Sequence, residues 1–170
     1  MKYTLAFSFL ITVLCVSSSA FAQDESGVEG LPKYEIGGHI GRLLPNQIGG
    51  VTEIVPLSGV RVGWRPGERS FVEGGFVMGS GDGASWKNYY VSMRTDLTVQ
   101  MLTGSMYIGV DATDYSGVGT GKSFVVGGHW GGAILAHIAD AVWFRGDMKF
   151  GFQPGTNLTI TFGLVFRAGG

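Results

Sequence analysis

The chain has 170 residues, with 12 Lys plus Arg against 13 Asp plus Glu, a formal net charge of −1, and only 15% charged residues. That balance excludes a basic nucleic-acid binder, and a hydrophobic content of 45% excludes a disordered chain. One cysteine, Cys15, excludes an intrachain disulfide and any CxxC metal or redox motif.

Residues 1–22 read as a secretory signal peptide. Lys2 is the positive start, Leu5 to Val16 is apolar, and Ala20-Phe21-Ala22 follows a run of serines as a small-x-small cleavage pattern. Cleavage is expected between Ala22 and Gln23, and it removes Cys15. The apolar run is shorter than the roughly 20 residues of a spanning helix. Residues 23–33 are expected to be a flexible N-terminal segment, and 34–170 a single barrel domain.

Eight alternating stretches follow, separated by Gly, Pro, Asn and Asp clusters: Tyr34 to Leu44, Gly59 to Arg65, Ser70 to Gly79, Asn88 to Val99, Gly104 to Tyr115, Ser123 to about Leu135, Ala141 to Phe152, and Leu158 to Phe166. Alternation with period two is the strand pattern. Several stretches match the roughly 9–11 residues of a tilted membrane strand rather than the five or six of a globular one. Connections 45–58, 80–87 and 116–122 read as longer loops on one side, with short turns opposite, as in membrane barrels. Residues 133–142 fit a short helix on propensity alone, but are read here as strand, turn and strand.

One face of each stretch is apolar. The other is small, polar or charged. In the fourth, Tyr89, Val91, Met93, Thr95 and Leu97 oppose Tyr90, Ser92, Arg94, Asp96 and Thr98; in the seventh, Val142, Phe144, Met148, Phe150 and Phe152 oppose Trp143, Arg145, Asp147 and Lys149. The small-residue face carries Glu35, Arg61, Glu73, Arg94, Asp96, Asp111, Arg145, Asp147 and Lys149, charges of both signs that could neutralise one another in a narrow lumen. Glycines 37, 41, 63, 75, 79, 109 and 163 share that face and are expected to make room for these long side chains. A soluble sandwich with the same charges facing water is the competing reading. Aromatics near stretch ends, Trp64, Trp86, Tyr89, Tyr115, Trp130, Trp143, Phe152 and Phe166, are candidates for interfacial girdles.

From Tyr34 to Phe166 the chain resembles the eight-stranded outer-membrane β-barrel family, the OmpA/OprF-like transmembrane barrels. The clearest part is the C-terminal third, where AVWFRGDMKFGF, a PGTN loop and LTITFGLVFR follow a Gly-rich strand. The last stretch looks like the assembly signal of such barrels, although Arg167 to Gly170 extend past its terminal aromatic. The resemblance implies an all-β, eight-stranded antiparallel up-and-down barrel in the outer membrane of a Gram-negative bacterium. It implies contacts with outer-membrane lipids and lipopolysaccharide, and with the barrel-assembly machinery through the last strand.

The chemical motifs are sparse. His39, His129 and His137 lack the His-x-Ser spacing of lipid A deacylase barrels, and a Ser–His–acid set from distant strands is not visible in sequence. No histidine pair has close metal-ligand spacing. Gly117 to Lys122 fails the phosphate-loop spacing. The expectation is therefore no catalytic, cofactor-binding or metal site, and no enzyme. The leading function is a structural or interaction role in the cell envelope with the lumen plugged by the charged residues. A small pore is the alternative, then a lipid A-modifying enzyme or a soluble periplasmic binding barrel. No external ligand is identified.

Overall fold

The structure, a computed structural model, describes residues 32–67, 70–99 and 101–169. The signal peptide and its junction at Ala22 and Gln23 lie outside the described residues. Within the segment 23–33 only Pro32 and Lys33 are described. Both are tied down: the Lys33 N–H donates to the Ala168 carbonyl at 3.0 Å, and the Arg65 Nε donates to the Pro32 carbonyl at 3.0 Å.

Eight strands form one closed antiparallel barrel: β1 (Tyr34–Asn46), β2 (Val55–Trp64), β3 (Ser70–Gly81), β4 (Ala84–Val99), β5 (Leu102–Gly117), β6 (Thr120–Ala139), β7 (Val142–Gly151) and β8 (Thr156–Ala168). Each pairs with the next in sequence, and β8 closes on β1. The register can be followed around the wall from Leu44 through Leu158, Phe150, Trp130, Ile108, Met93, Val72 and Trp64. It returns to β1 at Tyr34, ten residues below its start. Closure with that stagger forces the strands to tilt by about 40° from the axis.

The eight expected stretches all form strands, but two connections differ from the reading of 80–87 and 116–122 as loops. β3 and β4 meet at Asp82-Gly83, and β5 and β6 at Val118-Gly119. Asp82 (φ 48°) and Gly83 (φ 78°) are both left-handed, as a two-residue hairpin turn of Asp-Gly type requires. The flanking polar residues read as loop in sequence because they lie beyond the apolar rows, yet they stay in the ladder, with Lys87 opposite Asp114 and Asp114 opposite Phe124. The stretch 133–142 is strand, turn and strand rather than helix. Its alternation persists, with Ala133 and Leu135 inward and Ile134 and Ile138 outward, and tertiary pairing overrides helix propensity.

The remaining long connection, 47–54, crosses the barrel mouth. Ile48 bridges Val51, and both are buried. The Gly50 carbonyl accepts from the Val118 N–H at 2.8 Å, and the Thr120 hydroxyl donates to the Gly49 carbonyl at 3.3 Å. In a ring of eight strands the β1–β2 tip lies opposite the β5–β6 tip. The segment is therefore a strap over the opening, and Leu43, Val55, Leu57, Val77 and Trp86 pack beneath it.

Candidate functional site

Burial runs opposite to that of a water-soluble protein. Inside lie Glu35, Arg61, Glu73, Arg94, Asp96, Asp111, Arg145 and Asp147, each at most 8% exposed, with Lys149 beside them. Outside lie Ile40, Val60, Leu97, Met106, Phe124 and Ile134, each at least 59% exposed. Alternation, with the charged face turned inward on closure, produces this: every second side chain of each strand enters a lumen too narrow for bulk water.

The nine lumen charges named from sequence are brought together in two groups. Near the chain termini, the Arg94 guanidinium donates to Glu35 (2.7 and 2.8 Å), Glu73 (2.7 Å) and Asp96 (2.8 Å). Arg145 donates to Glu35 (3.0 Å), Asp147 (2.7 Å) and Glu73. Arg61 joins through Asp147 at 2.9 Å. Above them, the Lys149 ammonium donates to Asp111 (3.1 Å) and to Asn88 (3.0 Å). Among the described residues no buried side-chain polar atom lacks a hydrogen-bond partner. Buried charges persist only under such pairing.

Sequence reasoning missed two members. Arg167 donates to Glu35 at 3.1 Å and to Asp96 at 3.3 Å, and its guanidinium stacks over Trp143. The signal is present, since Thr159, Thr161, Gly163, Val165 and Arg167 share one parity along β8, but Arg167 lies beyond the last aromatic and outside the alternating stretch that ends at Phe166. Arg65 pairs with Asp96 at 3.5 Å, and Phe71 lies between the guanidiniums of Arg65 and Arg94, 4.3 and 4.4 Å from its ring centre. Such cation–π stacking adds attraction where water is excluded.

The histidines divide. His137 meets the Asp140 carbonyl in the β6–β7 turn at 2.9 Å, and His39 accepts from the Arg61 Nε at 3.3 Å. His129 stands between Ser92 Oγ (2.8 Å to Nε2) and Asp111 Oδ2 (2.9 Å to Nδ1). This is the connectivity of a hydrolytic triad, drawn from β4, β6 and β5. Two other requirements are missing. Ser92 is 2% exposed and lines neither lumen cavity, and the backbone amides around it belong to the sheet ladder rather than to an oxyanion hole. The three residues clamp neighbouring strands. Tyr90 and Tyr107 hold the imidazole edge-on from two sides, 5.9 and 6.0 Å away.

Lumen glycines serve mainly rings and backbone; of those named from sequence, Gly63 lies against a charged side chain, Glu35, together with Phe71. A methyl group at Gly109 would strike the His129 ring, at Gly75 the Tyr90 ring, at Gly131 the Tyr107 ring, and at Gly59 the His39 ring. The girdle expectation also needs correction. Trp86 is 4% exposed and packs in the lumen, Trp143 turns against Arg167 and His137, and Tyr115 packs on Trp86. Tyr34 and Trp64 sit outward at the rim near the termini, 58% and 51% exposed.

Small cavities remain in the lumen, among them one of about 10 Å³ and one of about 30 Å³, room for a water or two. Val77, Lys149 and Thr159 line both, so the lysine stands between them. Among the described residues no group of three His, Cys, Asp or Glu is placed to hold a metal.

The architecture is that of the eight-stranded outer-membrane barrels. The chain is similar in structure to the N-terminal β-barrel domain of OprF from Pseudomonas aeruginosa (TM-score 0.67, 9% identity, 82% of this chain and 99% of that one). It is similar to Neisserial surface protein A (TM-score 0.63, 10% identity, 82% and 99%). It is also similar to the attachment invasion locus protein Ail of Yersinia pestis, solved with the heparin analogue sucrose octasulfate (TM-score 0.55, 10% identity, 82% and 99%). No family model and no curated protein sequence matches the chain.

Proposed function

We propose that the protein is a non-enzymatic barrel of the bacterial outer membrane whose lumen is closed and whose role in the envelope is structural or interactive. The inverted burial carries this reading. A barrel with fully paired charges inside and Ile, Val, Leu, Met and Phe outside has its apolar surface matched to hydrocarbon, and in water that surface would drive aggregation. The first and last described residues, Pro32 and Gly169, lie at one end of the barrel, which export from within makes the periplasmic end. The strap 47–54 and the hairpin tips then face outward and offer the external contacts. Lys87 and Lys122 end outward apolar rows on β4 and β6, and Arg42 stands in the outward row of β1 between Ile40 and Leu44, where they suit lipid or lipopolysaccharide phosphates. Signal cleavage before Gln23 and recognition of β8 by the assembly machinery complete the proposal.

The test is fractionation with a gel run on boiled and unboiled outer membranes. The expected result is protein in that fraction with a heat-dependent change in mobility, and a first residue of Gln23 by N-terminal sequencing. Recovery only in the osmotic-shock fraction, with no mobility change, would sink the proposal. A second reading, a small pore, is favoured by the cavities on either side of Lys149. Planar-bilayer recording separates the two: a closed lumen gives no discrete conductance steps, whereas a pore gives them in the unmodified protein.

A further inference from the structure

β6 outruns β7. Their ladder stops at His129, opposite Gly151, and the last bond on that side runs from the Phe152 N–H to the Gly128 carbonyl at 3.0 Å. At Gly127 the β7–β8 connection lies against β6 through Gln153. Pro154 follows with no N–H to offer, and Gly155 lies against the Asn46 and Gln47 carbonyls at the top of β1. The strap does not fill the place beside β6, because Ile48 and Val51 turn it inward over the lumen. Ser123 to Val126 are therefore paired with β5 on one edge and, among the described residues, with no strand on the other. Parity identifies the groups left over. The His137 N–H donates toward β5, to the Met101 carbonyl, and the Gly128 carbonyl accepts from the β7 side. Odd residues of β6 thus bond to β5 and even ones face the other way, in a register unbroken up to Ser123. The N–H and C=O of Phe124 and Val126 point into the open edge, and their side chains, 66% and 63% exposed, point outward.

We propose that this edge docks an extended segment of another protein, which adds a strand beside β6 outside the membrane. This deepens the membrane reading and rests on it. The ladder line through Met78, Lys87, Asp114 and Phe124 climbs about 3 Å per strand, because a ten-residue stagger is spread over eight strands. Phe124 therefore stands about 6 Å farther from the periplasmic end than Lys87, which ends the outward row of β4, and Val126 is about level with Lys87. Hydrocarbon also offers no partner to unpaired N–H and C=O groups, so lipid does not suit this edge. Two other occupants fail on geometry. Residues 23–31 join the barrel at Pro32, at the opposite end, and span at most about 30 Å, against about 50 Å of wall along β6. A second copy in the same membrane is related by an axis along the membrane normal, so the two tilted edges cross at about 80° and form no ladder. An incoming strand with apolar residues outward covers Phe124 and Val126 and satisfies their backbone groups, the mode in which sheet edges take peptides. A carboxylate on its outward row meets the exposed Lys122, two residues farther up β6, in place of a lipid phosphate.

The test is nuclear magnetic resonance of the exported protein in dimyristoylphosphatidylcholine nanodiscs. The probe is a synthetic nonapeptide that alternates valine and threonine and carries one glutamate. The expected result is a peptide-dependent shift of the Phe124 and Val126 amide protons, with several-fold slower hydrogen exchange at both. The Val125 amide, already facing β5, should not change. Phe124→Pro removes an edge N–H without touching a β5 bond, and should abolish the response at Val126. Lys122→Glu leaves the ladder intact and should weaken binding of the glutamate peptide several-fold. Unchanged Phe124 and Val126 amides at millimolar peptide would overturn the proposal. So would contacts from lipid acyl chains to the Phe124 ring, which put hydrocarbon on the edge, or concentration-dependent protection of both amides without peptide, which puts a second copy there. Absence of acyl-chain contacts at Ile108 and Val62 would instead remove the membrane reading itself.

Discussion

Arg94 and Arg145 head the largest fully buried side chains, which fixes what a single substitution should do. Each guanidinium touches three carboxylates, so removing one leaves several anions short of a partner in a dry lumen. Arg145→Met should destabilise the folded barrel by about 3–5 kcal/mol, and adding Glu73→Gln should recover part of that loss. Urea unfolding in vesicles, followed by tryptophan fluorescence, checks this; equal midpoints for Arg145→Met and the unmodified chain would show the network to be dispensable. Gly109→Val places a branched side chain against the His129 ring and the Val91 carbonyl and should cost at least about 1–3 kcal/mol in the same assay. The Ser92–His129–Asp111 arrangement carries an expectation of inertness: a fluorophosphonate probe should not label the folded protein. Labelling lost in Ser92→Ala would instead make the lumen an active site.

Among the elements, the strap 47–54 has the most to answer for. It seals one mouth with Ile48 and Val51 and is held to the opposite hairpin by a close approach of Gly50 to Gly117. A side chain at 117 has no room, and Gly50 itself takes a left-handed φ of 73°. Gly117→Val should therefore lift the strap without breaking the barrel. A cysteine at Val77, buried beneath it, should resist a membrane-impermeant maleimide in the otherwise unmodified chain and react after Gly117→Val. Equal reaction in both would mean the mouth is already open. The strands themselves were legible because period two survives nearly everywhere; the tight turns at 82–83 and 118–119 were not, because polar residues beyond the apolar rows look the same in loop and in ladder.

For the whole molecule, the gel comparison and the bilayer recordings test location and closure. These follow from different features. The membrane seat comes from what faces outward, and closure comes from what meets inside. A mutant that empties the lumen, such as Arg145→Met, should remain in the outer-membrane fraction while gaining conductance; loss from that fraction would show that lumen pairing is needed for assembly.

The sequence by itself determined the strands and which residues share each face, because side-chain direction along a strand depends only on parity; barrel closure decided that the charged face turns inward. It could not say which charges meet, since strands far apart in the chain face each other only after closure with a ten-residue stagger. Closure carried Arg167 to Glu35 and Asp96 and placed the β1–β2 strap against the β5–β6 tip, whereas the hairpin registers of β4, β5 and β6 set His129 between Ser92 and Asp111. Parity is a local property of the backbone, whereas partnership across a lumen is fixed by strand number, tilt and register together.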